Sequence, residues 1–352
     1  MDCVRPIARR FFPSESTLTI ERWPQCGFSG AAIWQVQTAD GRYCLRRWPD
    51  DGLPPVRIRA LHHWLRDLAQ RGIDVIPVPL TADDGSTLVW QDAAWWQLEP
   101  WMPGRADFST APTDTRLRRI MHVVAEIHLA SAQHTTHRDG QDWFAGPELA
   151  PSPNGQERLR LLRRWDSART SALMQKLSRL PDGELTTIAA DVLLLYGQLR
   201  EGIANQLDAP FSRAVPLQIC LRDLWHDHVL MTGEDVTGII DLSAARWDHV
   251  ATDLARLLGS LLGDDPVRRE QALDWYAERR PLSDEERQLV VHFDQSAVLL
   301  SGLLWVERIT SGGLAPDAVP AVLARLREFR DRMRTLAGCG GPDLASQSTH
   351  GA

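Results

Sequence analysis

The chain is 352 residues long, 43% hydrophobic and 24% charged, with 39 Lys+Arg against 46 Asp+Glu and a formal charge of −7. This composition excludes wholesale disorder, and the lack of a basic stripe interleaved with aromatics argues against a nucleic-acid partner. A small substrate, a cationic one above all, suits the acidic balance. No uninterrupted apolar run reaches the roughly 20 residues of a membrane-spanning helix, so no membrane partner is expected. Cys3, Cys26, Cys44, Cys220 and Cys339 are scattered without a CxxC pair, which speaks against a disulfide framework or a cysteine zinc site. The N-terminus shows no apolar core followed by a cleavage site, and a cytoplasmic setting is expected. Lys176 is the only lysine, so 38 of the basic residues are arginine. Codon usage explains that plainly, yet any task that ordinarily needs lysine falls here to arginine. Oligomeric state is not legible.

In chain order, residues 15–48 read as strands. Ile33–Thr38 and Arg42–Trp48 flank Asp40-Gly41, a pair that favours a tight hairpin. After Pro54-Pro55, Ile58, Leu61, Leu65 and Leu68 fall at helical spacing, and Gly72 supplies a stop. His62-His63 is expected on a solvated flank of that helix. Two more strands, Thr87–Trp90 and Trp95–Leu98, precede the break at Met102-Pro103-Gly104, where a boundary is expected. Most of the aromatic group Trp90, Trp95, Trp96 and Trp101 should be core filler.

Beyond it, Leu117, Ile120, Val124, Ile127 and His128 line one helix face. Residues 133–157 read as a long loop, 157–180 and 184–206 as helical, Val215–Asp241 as β-rich. Helices near 251–262, 266–280, 284–311 and 316–336 complete the chain, with a disordered tail from 337. Asp264-Asp265 caps a helix ahead of Pro266 or attracts a cationic substrate. No repeat shows at any solenoid period.

The most informative stretch runs Leu221-Arg222-Asp223-Leu224-Trp225-His226-Asp227-His228, then Val236 to Asp241, then Asp253-Leu254-Ala255. A loop carrying Asp223 leads into a hairpin whose second apolar strand ends at Asp241, so two carboxylates are delivered to neighbouring ends. Phosphoryl transfer needs that pair, one carboxylate to orient the acceptor hydroxyl and one to hold a divalent cation on the phosphates. A lone Asp at a strand end is ordinarily a cap; two at this spacing point to chemistry. His226 and His228 alternate as on one side of a strand, the geometry of a zinc pair, but no third or fourth ligand is in view.

This segment resembles the catalytic core of the aminoglycoside phosphotransferase/choline kinase-like superfamily, with its His-Gly-Asp, an Asn further on, an apolar strand ending in Asp, and Asp-Leu-Ala opening a helix. The resemblance implies an α+β, protein-kinase-like two-lobed fold, with a small nucleotide-binding sheet lobe over 15–102 and a larger, mainly helical catalytic and substrate lobe over 103–336. It implies transfer of the γ-phosphoryl group of ATP or GTP to a hydroxyl of a small molecule. Asp223 falls on the catalytic position and Asp241 on the metal position, with Mg²⁺, or Mn²⁺, as the ion. The His-Gly is Leu221-Arg222 here, and the metal-ligating Asn is His228. Imidazole suits softer ions than Mg²⁺, so His228 binds a Mn²⁺-like ion, Asp227 supplies the oxygen, or the second site is lost. Arg222 steadies phosphate charge or forms a structural ion pair.

The N-terminal half is similar to the same superfamily. Gly27-Phe28-Ser29-Gly30 sits where a phosphate-covering loop would lie, placing Gly27 and Gly30 at the nucleotide. Arg46 is the candidate cation for the phosphates, a planar donor fork suited to that task. The strand through Glu99 and Trp101 resembles the inter-lobe hinge, whose backbone would meet the purine edge. No glutamate occurs between Glu21 and Glu99, so the helix glutamate that usually pairs with the phosphate cation has no counterpart. The departures also fit a catalytically inactive kinase-fold protein that binds a nucleotide, metabolite or partner; a third possibility is metal-dependent hydrolysis at His226 and His228.

Overall fold

A computed structural model describes residues 4–15, 17–24, 31–136, 140–312 and 318–339. The chain opens with α1 (Arg5–Phe11), β1 (Thr19–Arg22), β2 (Ala32–Gln37), β3 (Arg42–Arg47), α2 (Pro55–Gln70), β4 (Val89–Gln91), β5 (Ala94–Pro100) and α3 (Asp114–Ala132). Then come α4 (Gln141–Phe144), β6 (Leu149–Ala150), α5 (Pro153–Arg164), α6 (Ser167–Leu177), α7 (Glu184–Ser212) and β7 (Val215–Pro216). The remainder holds β8 (Gln218–Cys220), β9 (Val229–Thr232), β10 (Asp235–Ile239), β11 (Arg246–Asp248), α8 (Ala251–Leu262), α9 (Pro266–Ala277), α10 (Asp284–Thr310) and α11 (Val319–Cys339). Helices and antiparallel strands thus mix in the α+β class.

Two compact units arise, each from separated stretches. One comprises Met1–Glu148, Leu217–Asp253 and Glu270–Pro281; the other comprises Leu149–Pro216, Leu254–Arg269 and Leu282–Ala352. The boundary expected at 102/103 falls inside the first.

In that first unit, five antiparallel strands lie in the order β1-β2-β3-β5-β4. Period-2 alternation sorts the central pair into two faces. Leu45 opposite Leu98, with Val36 and Trp96, packs on Ile7, Ala8 and Phe11 of α1. Arg46 opposite Gln97, and Cys44 opposite Glu99, point the other way. Helix α1 carries too few residues to show a period in sequence, and its signal is Pro6 at the helix start. Gly104 adopts φ +100°, and a Cβ there would stand 2.7 Å from the Met231 carbonyl oxygen. Glycine therefore lets the chain leave β5 close against β9, where Arg105 and Met231 exchange backbone hydrogen bonds at 2.9 Å.

Three expectations are corrected here. His62 is 2% exposed rather than on a solvated flank, because the apolar stripe of α2 turns it onto the sheet while His63 faces out. Residues 226–228 form a 3₁₀ turn, not a strand, so the alternation of two imidazoles does not put them side by side. The long loop over 133–157 contains α4, β6 and the start of α5, elements too short to show periodicity. Trp96 is core as expected, whereas Trp90 is 55% exposed.

The second unit packs α7 with α5, α10 and α11. The α10 helix has a window of mean hydropathy 1.5, enough by length and composition to cross a membrane, but 61% of that window is buried, and Leu299, Leu303 and Val306 are core. Buried Asp294 accepts from Arg269 Nη1 at 2.7 Å and from Arg332 Nη2. Asp264 pairs with Arg332 at 2.8 Å, and Asp265 caps α9 by accepting from the Arg268 N–H at 3.0 Å. The cap is therefore the role of Asp265. Helix α11 runs past the expected end at 336, and residues 340–352 lie outside the described residues.

Candidate active site

The polar face of the sheet is built around Arg46, which is 9% exposed. Its Nη2 lies 3.7 Å from Glu99 Oε1 and its Nη1 lies 3.6 Å from Asp241 Oδ1. The guanidinium also stacks over Trp48 at 5.5 Å. Burial opposes the Arg46 charge, but Glu99 and then Asp241 outweigh it and hold its pKa above the ordinary arginine value. Burial pushes the Glu99 carboxyl up from its ordinary value, with Arg46 and Gln97 pulling the other way. Gln97 Nε2 donates to Glu99 Oε2 at 2.7 Å, and Gln97 Oε1 accepts from Trp48 Nε1 at 2.9 Å. The same oxygen meets His62 Nε2 at 3.0 Å, and His62 Nδ1 meets Thr87 Oγ1 at 2.8 Å.

Glu99 is expected to meet the nucleotide through its backbone; its side chain, on the polar face, reaches Arg46. Trp101 sits just beyond, its N–H donating to the Arg42 carbonyl at 3.0 Å and its ring edge-on to Trp23 at 4.8 Å. Gly27 and Gly30 lie outside the described residues.

The Asp223 loop is held from below by Asp253, which is fully buried. Asp253 accepts from the Leu221 N–H at 2.7 Å, the Arg222 N–H at 2.6 Å and His128 Nε2 at 3.0 Å. His128 Nδ1 in turn meets the Tyr276 hydroxyl at 2.7 Å. Burial lowers the His128 pKa against the pull of Asp253, consistent with a neutral ring whose Nε2 carries the proton. Arg222 takes φ +71° and turns its guanidinium onto buried Asp248, so of its two expected roles the ion pair is present. Asp223 is thereby displayed on an exposed bend.

From Asp223 the chain passes through the 3₁₀ turn to His228, whose Nδ1 donates to the Asp223 carbonyl at 2.8 Å. With that proton on Nδ1, Nε2 presents its lone pair, which Trp225 Nε1 meets at 2.9 Å. The same Nε2 stands 3.9 Å from Asp241 Oδ2. Asp241 itself is in the left-handed region at φ +57°, and Ser243 Oγ donates to its Oδ1 at 3.2 Å. Asp227 instead lies 3.2 Å from His226, and it is His228, not Asp227, that faces Asp241.

Arg46, Glu99, Gln97, Asp241 and Ser243 line a small, partly open pocket. A hard divalent cation bound through phosphate and water oxygens needs only one or two protein ligands; Asp241 fits that requirement, whereas the lone pair of His228 Nε2 is taken up by Trp225 Nε1. No group of three His, Cys, Asp or Glu side chains among the described residues could hold a metal.

The family model described as the phosphotransferase enzyme family matches residues 27–289. A homoserine kinase of Mesorhizobium japonicum is 24% identical over 291 residues, 78% of this chain and 77% of that protein. A homoserine kinase of Afipia carboxidovorans is 28% identical over 153 residues, 40% of this chain and 47% of that protein. Among solved structures, an amicoumacin kinase in complex with AMP-PNP and Ca²⁺ has a TM-score of 0.63 at 14% identity, covering 95% of this chain and 96% of that one. A microcompartment-associated aminopropanol kinase has a TM-score of 0.61 at 16% identity, covering 96% and 98%. At such identities the likeness is one of fold, and it is the kinase-like fold. Nothing in these comparisons favours the inactive reading.

Proposed function

The chain belongs to the phosphotransferase enzyme family, and from that premise we propose that it transfers the γ-phosphoryl group of ATP, or GTP, to the hydroxyl of a small amino alcohol, homoserine foremost. The observation that carries the reading is the meeting at Asp241 of Arg46, from β3, and His228, from the loop that begins at Asp223. A cation for phosphate, a carboxylate for metal and a carboxylate for the acceptor then belong to one site. The acceptor class comes from the names of the two curated relatives.

In this reading Asp223 accepts the proton of the acceptor hydroxyl as its oxygen bonds to the γ-phosphorus. The bond from that phosphorus to the bridging oxygen breaks, and the nucleoside diphosphate leaves. Arg46 holds phosphate oxygens with a fixed, permanently charged fork. Asp241 would hold the divalent cation, Mg²⁺ or Mn²⁺, which would supply neutralisation of phosphate charge, and His228 would join it only on releasing Trp225. The hydrogen bond from His228 Nδ1 to the Asp223 carbonyl holds Nε2 near Asp241, where its lone pair accepts from Trp225 Nε1, so ligation by His228 would require that bond to open. A cytoplasmic setting is part of the proposal, supported by the free thiols of Cys44 and Cys220.

The test is release of nucleoside diphosphate across a panel of homoserine, aminopropanol and aminoglycosides, with Asp223→Ala alongside. Homoserine-dependent turnover, lost in Asp223→Ala while nucleotide binding persists, is the expected result. Phosphotransfer retained by that variant would overturn the assignment of Asp223, and turnover with aminoglycosides alone would overturn the acceptor class.

A further inference from the structure

We propose that Glu99 on β5, oriented by Gln97 and His62, is the acidic positioning residue for the phosphate-binding Arg46, a task for which helix α2 has no free acid. The inference rests on the phosphotransfer reading and deepens it. Asp67 is the only acidic residue on α2, and it is committed elsewhere, accepting from Arg71 Nε at 3.0 Å and from His134 Nδ1 at 2.8 Å. The helix instead presents His62, and a chain of hydrogen bonds carries its position to the cation.

The direction of each bond follows from chemistry. Gln97 Oε1 can only accept, so His62 Nε2 carries the hydrogen and Nδ1 accepts from the Thr87 hydroxyl. With its oxygen occupied by His62 and Trp48, the Gln97 amide has one orientation, which aims Nε2 at Glu99 Oε2. Glu99 Oε1 is then left for Arg46 at 3.7 Å. Register supplies the geometry, because Arg46 opposes Gln97 and Cys44 opposes Glu99 on a single face of the β3–β5 ladder.

Arg46 stands between two carboxylates of different standing. Asp241 is half-exposed and lies 3.9 Å from His228, so a metal ion would draw it away from the guanidinium. Glu99 is 8% exposed and fixed by Gln97. It stays with Arg46 whether or not metal is bound, and both separations exceed the ~2.8 Å of a tight charge-assisted bond, which leaves donor capacity for phosphate oxygens. Among the described residues Arg46 Nε has no acceptor.

The experiment measures nucleotide affinity by calorimetry, and nucleotide and acceptor KM by steady-state kinetics, for the full chain. Glu99→Gln is expected to weaken nucleotide binding about tenfold while acceptor KM stays within about twofold. In an Arg46→Gln background the same change is expected to add little, since a positioning residue has nothing left to position. Asp67→Asn serves as the helix control, with nucleotide affinity unaltered. Should Glu99→Gln fail to fold, Glu99→Asp keeps the charge one methylene short and carries the same comparison. An unchanged affinity accompanied only by a lower Tm would overturn the proposal, as would additive losses in the double variant or a loss in Asp67→Asn equal to that in Glu99→Gln. A wild-type chain that binds no nucleotide would remove the phosphotransfer reading as well, whereas a wild type that binds with Glu99→Gln unaffected would remove this inference alone.

Discussion

Replacing Asp253 by Asn tests how the catalytic loop is held. The carboxylate is fully buried and uses both oxygens: Oδ1 takes the Arg222 N–H at 2.6 Å, while Oδ2 takes the Leu221 N–H at 2.7 Å and His128 Nε2 at 3.0 Å. Asparagine has the same shape but one oxygen. In its better orientation that oxygen keeps Leu221 and His128, and the amide then points two hydrogens at the Arg222 N–H. The charge-assisted bond from the part-buried Arg222 N–H is lost, that donor is left unsatisfied and the Thr252 hydroxyl must turn away from the amide, for a cost of about 2–4 kcal/mol. The loop that loosens is the one displaying Asp223, so turnover should fall by at least about tenfold even where the protein is fully folded. Urea unfolding by tryptophan fluorescence reads the first effect as a lowered midpoint at constant slope, and kcat in denaturant-free buffer reads the second. A stability change under about 1 kcal/mol with kcat intact would refute the view that Asp253 fixes the loop.

The motif that identifies the site was legible because it is local: Asp223, Asp241 and Asp253 keep a recognisable spacing whatever the rest of the chain does. The hairpin of β2 and β3 and the helices α2, α3 and α8 were legible for a similar reason, since each is long enough to show its period. Glu99 was missed as a side chain because the segment from Trp96 to Gly104 was read as a hinge, where backbone matters. The signal was nevertheless present: Gln97 and Glu99 alternate with Trp96 and Leu98, so a polar pair had to share one face of the strand. His62 misled in the opposite way, because two adjacent histidines look solvated unless the helix phase is carried through from Ile58 and Leu65. In His226-Asp227-His228 the alternation suggested a strand, but three residues fit a 3₁₀ turn equally well, and the His228 N–H closes that turn on the Trp225 carbonyl at 2.9 Å. The buried pair of Arg222 and Asp248, like the network of Asp294 with two arginines, joins residues far apart in sequence, and no local pattern encodes it.

The near-absence of lysine yields a direct contrast. Arg46→Ala should weaken nucleotide binding by about tenfold or more and also lower Tm, because Glu99 is left buried without its cation; Lys176→Ala, on an exposed position of α6, should change neither, and calorimetry with a thermal melt reads both. His62 sets a pH dependence of stability. Burial lowers its pKa to about 4 from an ordinary 6.5. Below pH 6.5 the unfolded chain takes up a proton that the folded chain refuses, so the contribution of His62 is complete above that value and is lost as pH falls through about 4. The shift corresponds to about 3 kcal/mol at its limit. Other groups also titrate in this window, including His128, whose pKa burial lowers, so the readout is the difference between wild type and His62→Gln rather than the wild-type curve alone. Glutamine cannot protonate, and the variant should therefore gain on the wild type steadily as the pH is taken from 7 to 4 in urea titrations. A gap that stays flat across that range would mean that His62 is not held neutral between Gln97 and Thr87.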